Sequence, residues 1–314
     1  MLAPMESSAP PSVIRTEGLS KRFGRLTAVS SLDLDVRPGR VFGFLGPNGA
    51  GKTTAIAMIL GLLFPTSGNI QLFGMDARTN LKAALRRVGA IVENPAVYPH
   101  LTARDNLRVW GALSGGTTPA RIDEVLELVG LRERAKDKPR TYSLGMKQRL
   151  GLGAALLHDP ELLILDEPTN GLDPAGIREF RELFRAFARR GKTVFVSSHL
   201  LGEVQLMCDE VAIVKQGRLI AQGEVGELLR RREAFIVRTT DPAQAVSVLG
   251  SLDWVRSVSE GEQGSLLVEA PAERAAGISQ ALGEGGIWIS ELRQEEGSLE
   301  DFFLEVTGRE DGAG

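Results

Sequence analysis

The sequence predicts an α/β protein whose largely parallel sheet is covered by helices, followed by a smaller α+β domain. From residue 13 to about 226, short β-rich runs alternate with longer helical segments, which is the order of a parallel sheet with helical crossovers. The clearest β-rich runs lie at 40–45, 162–165 and 193–197. Beyond residue 232 the composition changes, so we expect a boundary there and a second domain after it.

The length and charge of the chain fit a soluble globular protein with two cores. The chain has 314 residues, with 37 Lys and Arg against 40 Asp and Glu, a net charge of −3 and 43% apolar residues. No basic surplus is present, so a nucleic-acid partner is not expected. The nearest exception is the run Arg230, Arg231 and Arg232, which either contacts nucleic acid or is a solvated helix end favoured by the helix dipole.

Cysteine content and the termini indicate the compartment. Cys208 is the single cysteine, so an intrachain disulfide is impossible and a reducing, cytosolic compartment fits. Residues 1–12 lack the basic start and apolar core of a signal peptide, and we expect disordered tails at 1–12 and 308–314. The uncharged stretch 53–75 has a continuous apolar part only at 55–64, shorter than the roughly 20 residues that cross a bilayer. We expect a buried helix there instead.

Two further segments complete the predicted architecture. Within the first domain, 13–232, apolar residues at helical spacing predict a helical subdomain over about 100–140. The second domain, 233–307, has the order strand, helix, strand, strand, helix, strand, which predicts a ferredoxin-like fold. Those elements are predicted at 235–238, 242–252, 254–258, 266–269, 272–282 and 287–292. Ser298, with Asp301 three residues later, predicts the start of a last helix.

The strongest chemical motif is a glycine-rich loop between a predicted strand and a predicted helix. It matches the pattern G-x-x-x-x-G-K-[ST] of phosphate-binding loops. Its residues are Gly46, Pro47, Asn48, Gly49, Ala50, Gly51, Lys52, Thr53 and Thr54. Glycines let backbone N–H groups curl around phosphate oxygens, and the helix dipole adds positive potential. Lys52 would contact the β- and γ-phosphates, and Thr53 would ligate Mg²⁺.

Two carboxylates follow an apolar strand at 162–165. Asp166 and Glu167 come at its carboxyl end, which is where open α/β sheets bind ligands. Asp166 would hold Mg²⁺, and Glu167 would polarise the attacking water. Such a strand end can also be purely structural, but its pairing with a phosphate loop favours the catalytic interpretation.

A third segment narrows the class. Ser143 and Gly145 lie before a predicted helix, in the sequence Tyr-Ser-Leu-Gly-Met at 142–146. Here the chain resembles the ABC ATPase family, whose signature segment usually reads Leu-Ser-Gly-Gly-Gln. Ser143 and the backbone N–H groups of the helix start can still bind a γ-phosphate, although three of the five positions differ. The resemblance implies a RecA-like P-loop NTPase domain with a helical subdomain.

The resemblance covers roughly residues 13–226 and assigns further residues. Phe23 stands where the family has an aromatic that stacks on adenine, although a core position is the alternative. The run Gly171-Leu172-Asp173-Pro174 is similar to the family's D-loop, and His199 is similar to the switch histidine that reaches the γ-phosphate. His100 and His158 have no such context and are expected to be surface or packing residues.

One position departs from the family. Glu93 stands where most members carry Gln, so a charged oxygen replaces a neutral one near Mg²⁺ and near the membrane partner. A carboxylate remains a suitable metal ligand. With Pro95, Tyr98 and Pro99 after it, this variant resembles the branch that exports bacitracin, lantibiotics and other antimicrobial compounds.

The resemblance also implies cofactors and partners. ATP and Mg²⁺ would bind between the phosphate loop of one chain and the signature segment of a second copy or a homologous ATPase subunit. A separate multi-spanning permease would be driven from the cytoplasmic face of the membrane, where this chain would be peripheral. Two alternatives are a non-transport ABC ATPase acting on nucleic acid or ribosomes, and a regulatory protein that binds ATP without hydrolysing it.

Overall fold

The computed structural model describes residues 12–93, 95–230, 234–261, 264–295 and 297–311. The chain divides into two compact units between Glu224 and Val225. This boundary precedes the one expected near residue 232, because residues 225–230 form a helix that packs within the second unit. Arg231 and Arg232, and with them the predicted linker, lie outside the described residues.

A six-stranded sheet is the centre of the first unit. Its strands are β3 (Val41–Leu45), β6 (Val88–Ile91), β7 (Leu162–Asp166), β8 (Thr193–Ser198), β9 (Glu210–Lys215) and β10 (Arg218–Glu224). Their order is β10-β9-β3-β8-β7-β6, and only the β9–β10 pair is antiparallel. Strands β3, β7 and β8 are buried along their whole length, as expected for parallel strands covered on both faces.

A second sheet in this unit is antiparallel and was not predicted. It consists of β1 (Ile14–Phe23), β2 (Leu26–Val36), β4 (Ser67–Leu72) and β5 (Met75–Asp76), in the order β2-β1-β4-β5. Apolar residues of this sheet and of the parallel sheet share one core. In that core the rings of Phe42 and Phe195 stack with centroids 5.5 Å apart.

The described residues of the first unit form seven α-helices. They are α1 (Lys52–Ile59), α2 (Ala77–Leu85), α3 (Ala103–Leu113), α4 (Pro119–Leu128), α5 (Leu144–Leu156), α6 (Pro174–Arg189) and α7 (Leu201–Met207). Helices α3 and α4 form the predicted helical insertion and pack on α5. Their starts are capped by the side chains of Thr102 and Thr118, which accept hydrogen bonds from backbone N–H groups.

Helix α1 is shorter than the sequence pattern suggested. It ends at Ile59, and the side chains of Leu62 and Phe64 beyond it are 68% and 83% exposed. Within the described residues, no helix is long and apolar enough to span a membrane. Cys208 follows α7 and is buried; a Cβ on Gly43 would lie 3.1 Å from its sulfur. Burial raises the pKa of the Cys208 thiol far above its ordinary value.

The elements of the second unit come in the predicted order of strand, helix, strand, strand, helix and strand, with a further helix before and after them. Its strands are β11 (Ala234–Thr239), β12 (Ser257–Glu260), β13 (Leu266–Glu269) and β14 (Ile289–Gln294), and its helices are α8 (Val225–Arg230), α9 (Pro242–Gly250), α10 (Ala275–Glu284) and α11 (Leu299–Asp311). The sheet is antiparallel in the order β12-β13-β11-β14. As predicted, Ser298 begins the last helix by accepting a 3.0 Å hydrogen bond from the Asp301 N–H. That helix continues to Asp311, past the expected end of the domain at residue 307.

Candidate nucleotide-binding site

The glycine-rich loop joins β3 to α1 at the carboxyl edge of the parallel sheet. Two of its glycines are required by close approach: a Cβ on Gly46 would lie 2.3 Å from the Val214 carbonyl oxygen, and one on Gly51 2.4 Å from the Ala28 oxygen. Gly51 also has φ +97°, a conformation that favours glycine. No side chain caps the start of α1, so its first N–H groups remain available for an anion.

A cavity of about 530 Å³ opens over this loop. Its walls are formed by the loop residues Asn48, Gly49, Ala50, Gly51, Lys52, Thr53 and Thr54, by Glu167 and Gln216, and by Phe23, Leu26, Thr27 and Ala28. Phe23 is 48% exposed, so it is a wall of the cavity and not part of the core. The ammonium group of Lys21 lies 5.1 Å from the centroid of the Phe23 ring. An apolar ring at one end and a cationic loop at the other suit a nucleotide.

Lys52 is the cationic group of the loop and is nearly buried, at 6% exposure. Its Nζ donates to the carbonyl oxygens of Gly46, at 2.6 Å, and Pro47, at 3.3 Å. The same Nζ lies 3.1 Å from Glu167 Oε1. The ammonium group is therefore held at the mouth of the loop by two backbone oxygens and one carboxylate.

Asp166 is buried at the end of β7 and is fixed from both sides. Its Oδ2 accepts a 2.7 Å hydrogen bond from Thr53 Oγ1, and its Oδ1 accepts one of 2.5 Å from Ser197 Oγ. The Thr53 hydroxyl and the Asp166 carboxylate are hard oxygen donors of the kind that Mg²⁺ prefers, and they lie beside the phosphate loop. Among the described residues, no cluster of three or more His, Cys, Asp or Glu is arranged to hold a metal ion.

Glu167 is the next residue and adopts a left-handed backbone conformation, with φ +49°. Its N–H donates to Ser197 Oγ at 2.9 Å, which holds the turn at the strand end. Its Oε2 lies 2.9 Å from His199 Nδ1, and its Oε1 pairs with Lys52. A non-glycine residue strained in this way next to a cavity is a feature of functional sites. The carboxylate is thus placed between the phosphate loop and His199.

A second cavity, of about 430 Å³, lies beside the first. Its walls include Glu93, Asp166 and Glu167, together with Thr53, Leu144, Gln148, Asn170 and Gly171. Glu93 is exposed and has φ +59°. The structure therefore brings the predicted metal ligand Glu93 to a cavity shared with both carboxylates, but it gives Glu93 no hydrogen bond to either of them among the described residues.

The signature segment lies at the start of α5. Ser143 is exposed and caps the helix by accepting a hydrogen bond from the Met146 N–H at 3.3 Å. Tyr142 before it is buried, and its hydroxyl donates to the Arg134 carbonyl oxygen at 2.6 Å. Burial of the phenol raises the pKa of Tyr142. Neither Ser143 nor Gly145 lines the cavity over the phosphate loop.

The other predicted residues take ordinary structural places. Asp173 of the D-loop caps α6, with its Oδ1 accepting from the Gly176 N–H at 3.0 Å. His100 is exposed. His158 Nε2 donates to the Val88 carbonyl oxygen at 3.1 Å, and the residue lines a third cavity of about 310 Å³ between β6, α3 and α5.

Three residues of the site escaped the sequence analysis. Ser197 bonds to both Asp166 and Glu167; the signal for it was its place at the end of β8, directly opposite Asp166 in register. Gln216 lines the nucleotide cavity after β9, and Gln148 lines the second cavity. The sequence pattern of neither glutamine separates it from a surface residue.

The site combines a phosphate loop, a buried lysine and paired carboxylates at the edge of a parallel sheet. This combination defines a nucleoside triphosphate hydrolase of the P-loop class. Comparison with known proteins identifies the family. The family model described as ABC transporter matches residues 29–170. The bacitracin transport ATP-binding protein BcrA of Bacillus licheniformis is 42% identical over 299 residues, 95% of this chain and 98% of that protein. The linearmycin resistance ATP-binding protein LnrL of Bacillus subtilis is 38% identical over 319 residues, 95% of this chain and 99% of that protein.

Solved structures agree. An ATP binding subunit of an ABC transporter superposes with a TM-score of 0.63 at 29% identity, covering 70% of this chain and 93% of its own length. The present chain belongs to the ABC transporter family and is one of its ATP-binding subunits, with an ATP-hydrolysing cassette.

Proposed function

We propose that this chain is the ATP-hydrolysing subunit of an exporter for an antimicrobial peptide, drug or similar compound. It would act from the cytoplasmic face of the membrane on a separate multi-spanning permease. The names of two relatives, one for bacitracin transport and one for linearmycin resistance, support this substrate class. Both similarities extend over 95% of the chain and therefore include the second unit.

The chain's own residues would perform hydrolysis as follows. The loop N–H groups bind the phosphates, and Lys52 exchanges Glu167 for the β- and γ-phosphate oxygens. Glu167, released from Lys52 but still beside His199, accepts a proton from the attacking water, and His199 reaches toward the γ-phosphate. The water oxygen bonds to the γ-phosphorus while the bond to the β–γ bridging oxygen breaks, so ADP and inorganic phosphate are released. Thr53 and Asp166, with Glu93 as a further candidate, would hold Mg²⁺, which neutralises charge on the phosphate oxygens.

One observation supports a site shared by two chains. Ser143 and Gly145 do not line the nucleotide cavity of their own chain, yet Ser143 is exposed at a helix start suited to phosphate. A second copy or a homologous ATPase subunit would place its signature segment over this chain's ATP. ATP closes the pair because its γ-phosphate contacts both chains, and hydrolysis reopens it.

The third cavity is our candidate for the permease contact. It is lined by β6 and by the apolar side chains of Pro95, Ala96 and Trp110, next to the Glu93 turn. A groove of this kind accepts a short helix, whose movement would then be coupled to the turn that carries Glu93.

Co-purification tests the proposal. The chain is expressed with its neighbouring genes, the membranes are solubilised gently, and proteins bound to the tagged chain are identified by mass spectrometry. We expect stoichiometric recovery of a multi-spanning membrane protein, and loss of that protein in a Trp110→Ala variant that keeps ATP binding. Recovery of only ribosomes, DNA or soluble partners would refute the proposed exporter function and leave the ATPase chemistry intact.

A further inference from the structure

Gln148 joins helix α5 to the loop that carries Glu167. It lies on the second turn of α5, after the Ser143 cap, and only 8% of it is exposed. Its Nε2 donates to the Asn170 carbonyl oxygen at 3.1 Å, and the Asn170 N–H donates to the Glu167 carbonyl oxygen at 3.2 Å. Two hydrogen bonds therefore connect the signature helix to the backbone of the catalytic carboxylate.

Packing strengthens the same connection. A Cβ on Gly171 would lie 2.6 Å from Leu144 Cδ2, and a Cβ on Gly145 3.1 Å from Leu172 Cδ2. Leu144 occupies a position at which the family signature usually has glycine. The first two turns of α5 thus contact three consecutive residues, Asn170 to Leu172, and cannot shift without displacing them.

The second amide atom of Gln148 is also informative. Its Oε1 is buried and has no hydrogen-bond partner in the part of the chain that the structure describes. The side chain lines the cavity that contains Asp166 and Glu167. A buried acceptor without a partner is unusual in a native fold and calls for a functional explanation.

We propose that Gln148 is a positioning residue that transmits the position of the α5 start to Glu167. This inference rests on the proposed two-chain site, in which Ser143 contacts the γ-phosphate bound by a second copy. A displacement of α5 on that contact is carried by Gln148 to Asn170 and so to Glu167. Each catalytic carboxylate therefore responds to the nucleotide in the other site.

The test compares steady-state ATP hydrolysis by the full chain and by Gln148→Met, which keeps the length of the side chain and removes its donor. We expect kcat to fall about tenfold, equivalent to about 1.4 kcal/mol, with the Kd for ATP changed less than twofold. The Hill coefficient for ATP is expected to fall toward 1. In Gln148→Glu, a hydrogen-bond donor to the Asn170 oxygen is present only when the new carboxyl group is protonated. Its kcat relative to the parent should therefore rise as the pH is lowered. The Gln148→Met variant should show no such recovery.

Leu152→Val is the matched control, since Leu152 is fully buried on the same helix but lies outside the Asn170 contact. It should lower the melting temperature while leaving kcat and the Hill coefficient of the folded protein unchanged. Parental kcat and cooperativity in Gln148→Met would overturn the inference, as would equal losses in Leu152→Val. A different result would overturn the two-chain site itself, and with it the proposed role of Gln148. That result is a Hill coefficient of 1 in the parent together with no ATP-dependent dimer in Glu167→Gln.

Discussion

Replacing Lys52 by alanine should weaken ATP binding by a limited and calculable amount. A hydrogen bond to a charged group contributes about 1.5 to 3 kcal/mol, which corresponds to about 10- to 150-fold in Kd. To bind phosphate, Lys52 must first break its ion pair with Glu167 at 3.1 Å and its hydrogen bond to the Gly46 oxygen at 2.6 Å. The loss of these contacts offsets part of the free energy gained from the phosphate. We therefore expect a loss near the lower limit, about 10- to 30-fold.

Calorimetric titration of ATP at fixed ionic strength measures the effect, with Lys82→Ala, on the exposed face of α2, as the control. The competition between Glu167 and phosphate for Lys52 leads to a second expected result. In a Glu167→Gln background ATP should bind more tightly than to the parent, and Lys52→Ala should cost more, because the rival carboxylate is gone. A Kd within twofold of the parent in Lys52→Ala, or an equal cost in both backgrounds, would refute this account of the loop.

Three other variants probe the site and its supports. Glu167→Gln should keep ATP binding, lower turnover at least about 100-fold and accumulate as an ATP-bound dimer in gel filtration. Its control, Glu182→Gln on the exposed face of α6, should hydrolyse ATP at the parental rate. At Gly51 the backbone has φ +97°, and an added Cβ would lie 2.4 Å from the Ala28 carbonyl oxygen, so Gly51→Ala should lose about 1 to 3 kcal/mol of unfolding free energy. Gly115→Ala is the control for dihedral strain alone, because Gly115 has φ +102° but open space around it. Tyr142→Phe should cost about 0.5 to 1 kcal/mol at neutral pH, near the lower limit because the Arg134 oxygen also accepts from the Asp137 N–H. Since the pKa of Tyr142 is raised in the folded state, its stabilising effect is complete below the unfolded pKa near 10 and is lost as the pH rises above it. Denaturant titrations should therefore show the difference in unfolding free energy between parent and variant shrinking from about pH 9 to 11. A difference that stays constant would contradict this explanation.

The parallel sheet and its phosphate loop could be predicted because each depends on local sequence. The strand at 162–166 begins with a continuous apolar run at 162–165, and the loop pattern fixes its own backbone through glycines. The antiparallel sheet escaped prediction because its strands pair across long separations, as Ile14 does with Leu72, and β1 is interrupted by register shifts. Alternation of buried and exposed residues is blurred by such shifts.

In the site, the sequence singles out residues that belong to a motif, such as Lys52, Asp166 and Glu167, and the structure places these around the first two cavities. It does not single out the residues that hold them in place. Ser197 and Gln148 act through partners that are 31 and 22 positions away, at Asp166 and Asn170. No periodicity or spacing encodes those contacts. The boundary between the units was also misplaced, because α8 looks like the end of the first domain in sequence and packs in the second.

The burial of Cys208 has a practical consequence. The chain contains one thiol, and its pKa is raised mainly by burial and further by the nearby Asp209 carboxylate, so little thiolate forms near neutral pH. Maleimide and nitroxide reagents should therefore pass over the native residue. Cysteines engineered at exposed positions in either unit can be labelled against a silent background, and distances between spin labels or dyes can be followed through the ATP cycle without first removing Cys208.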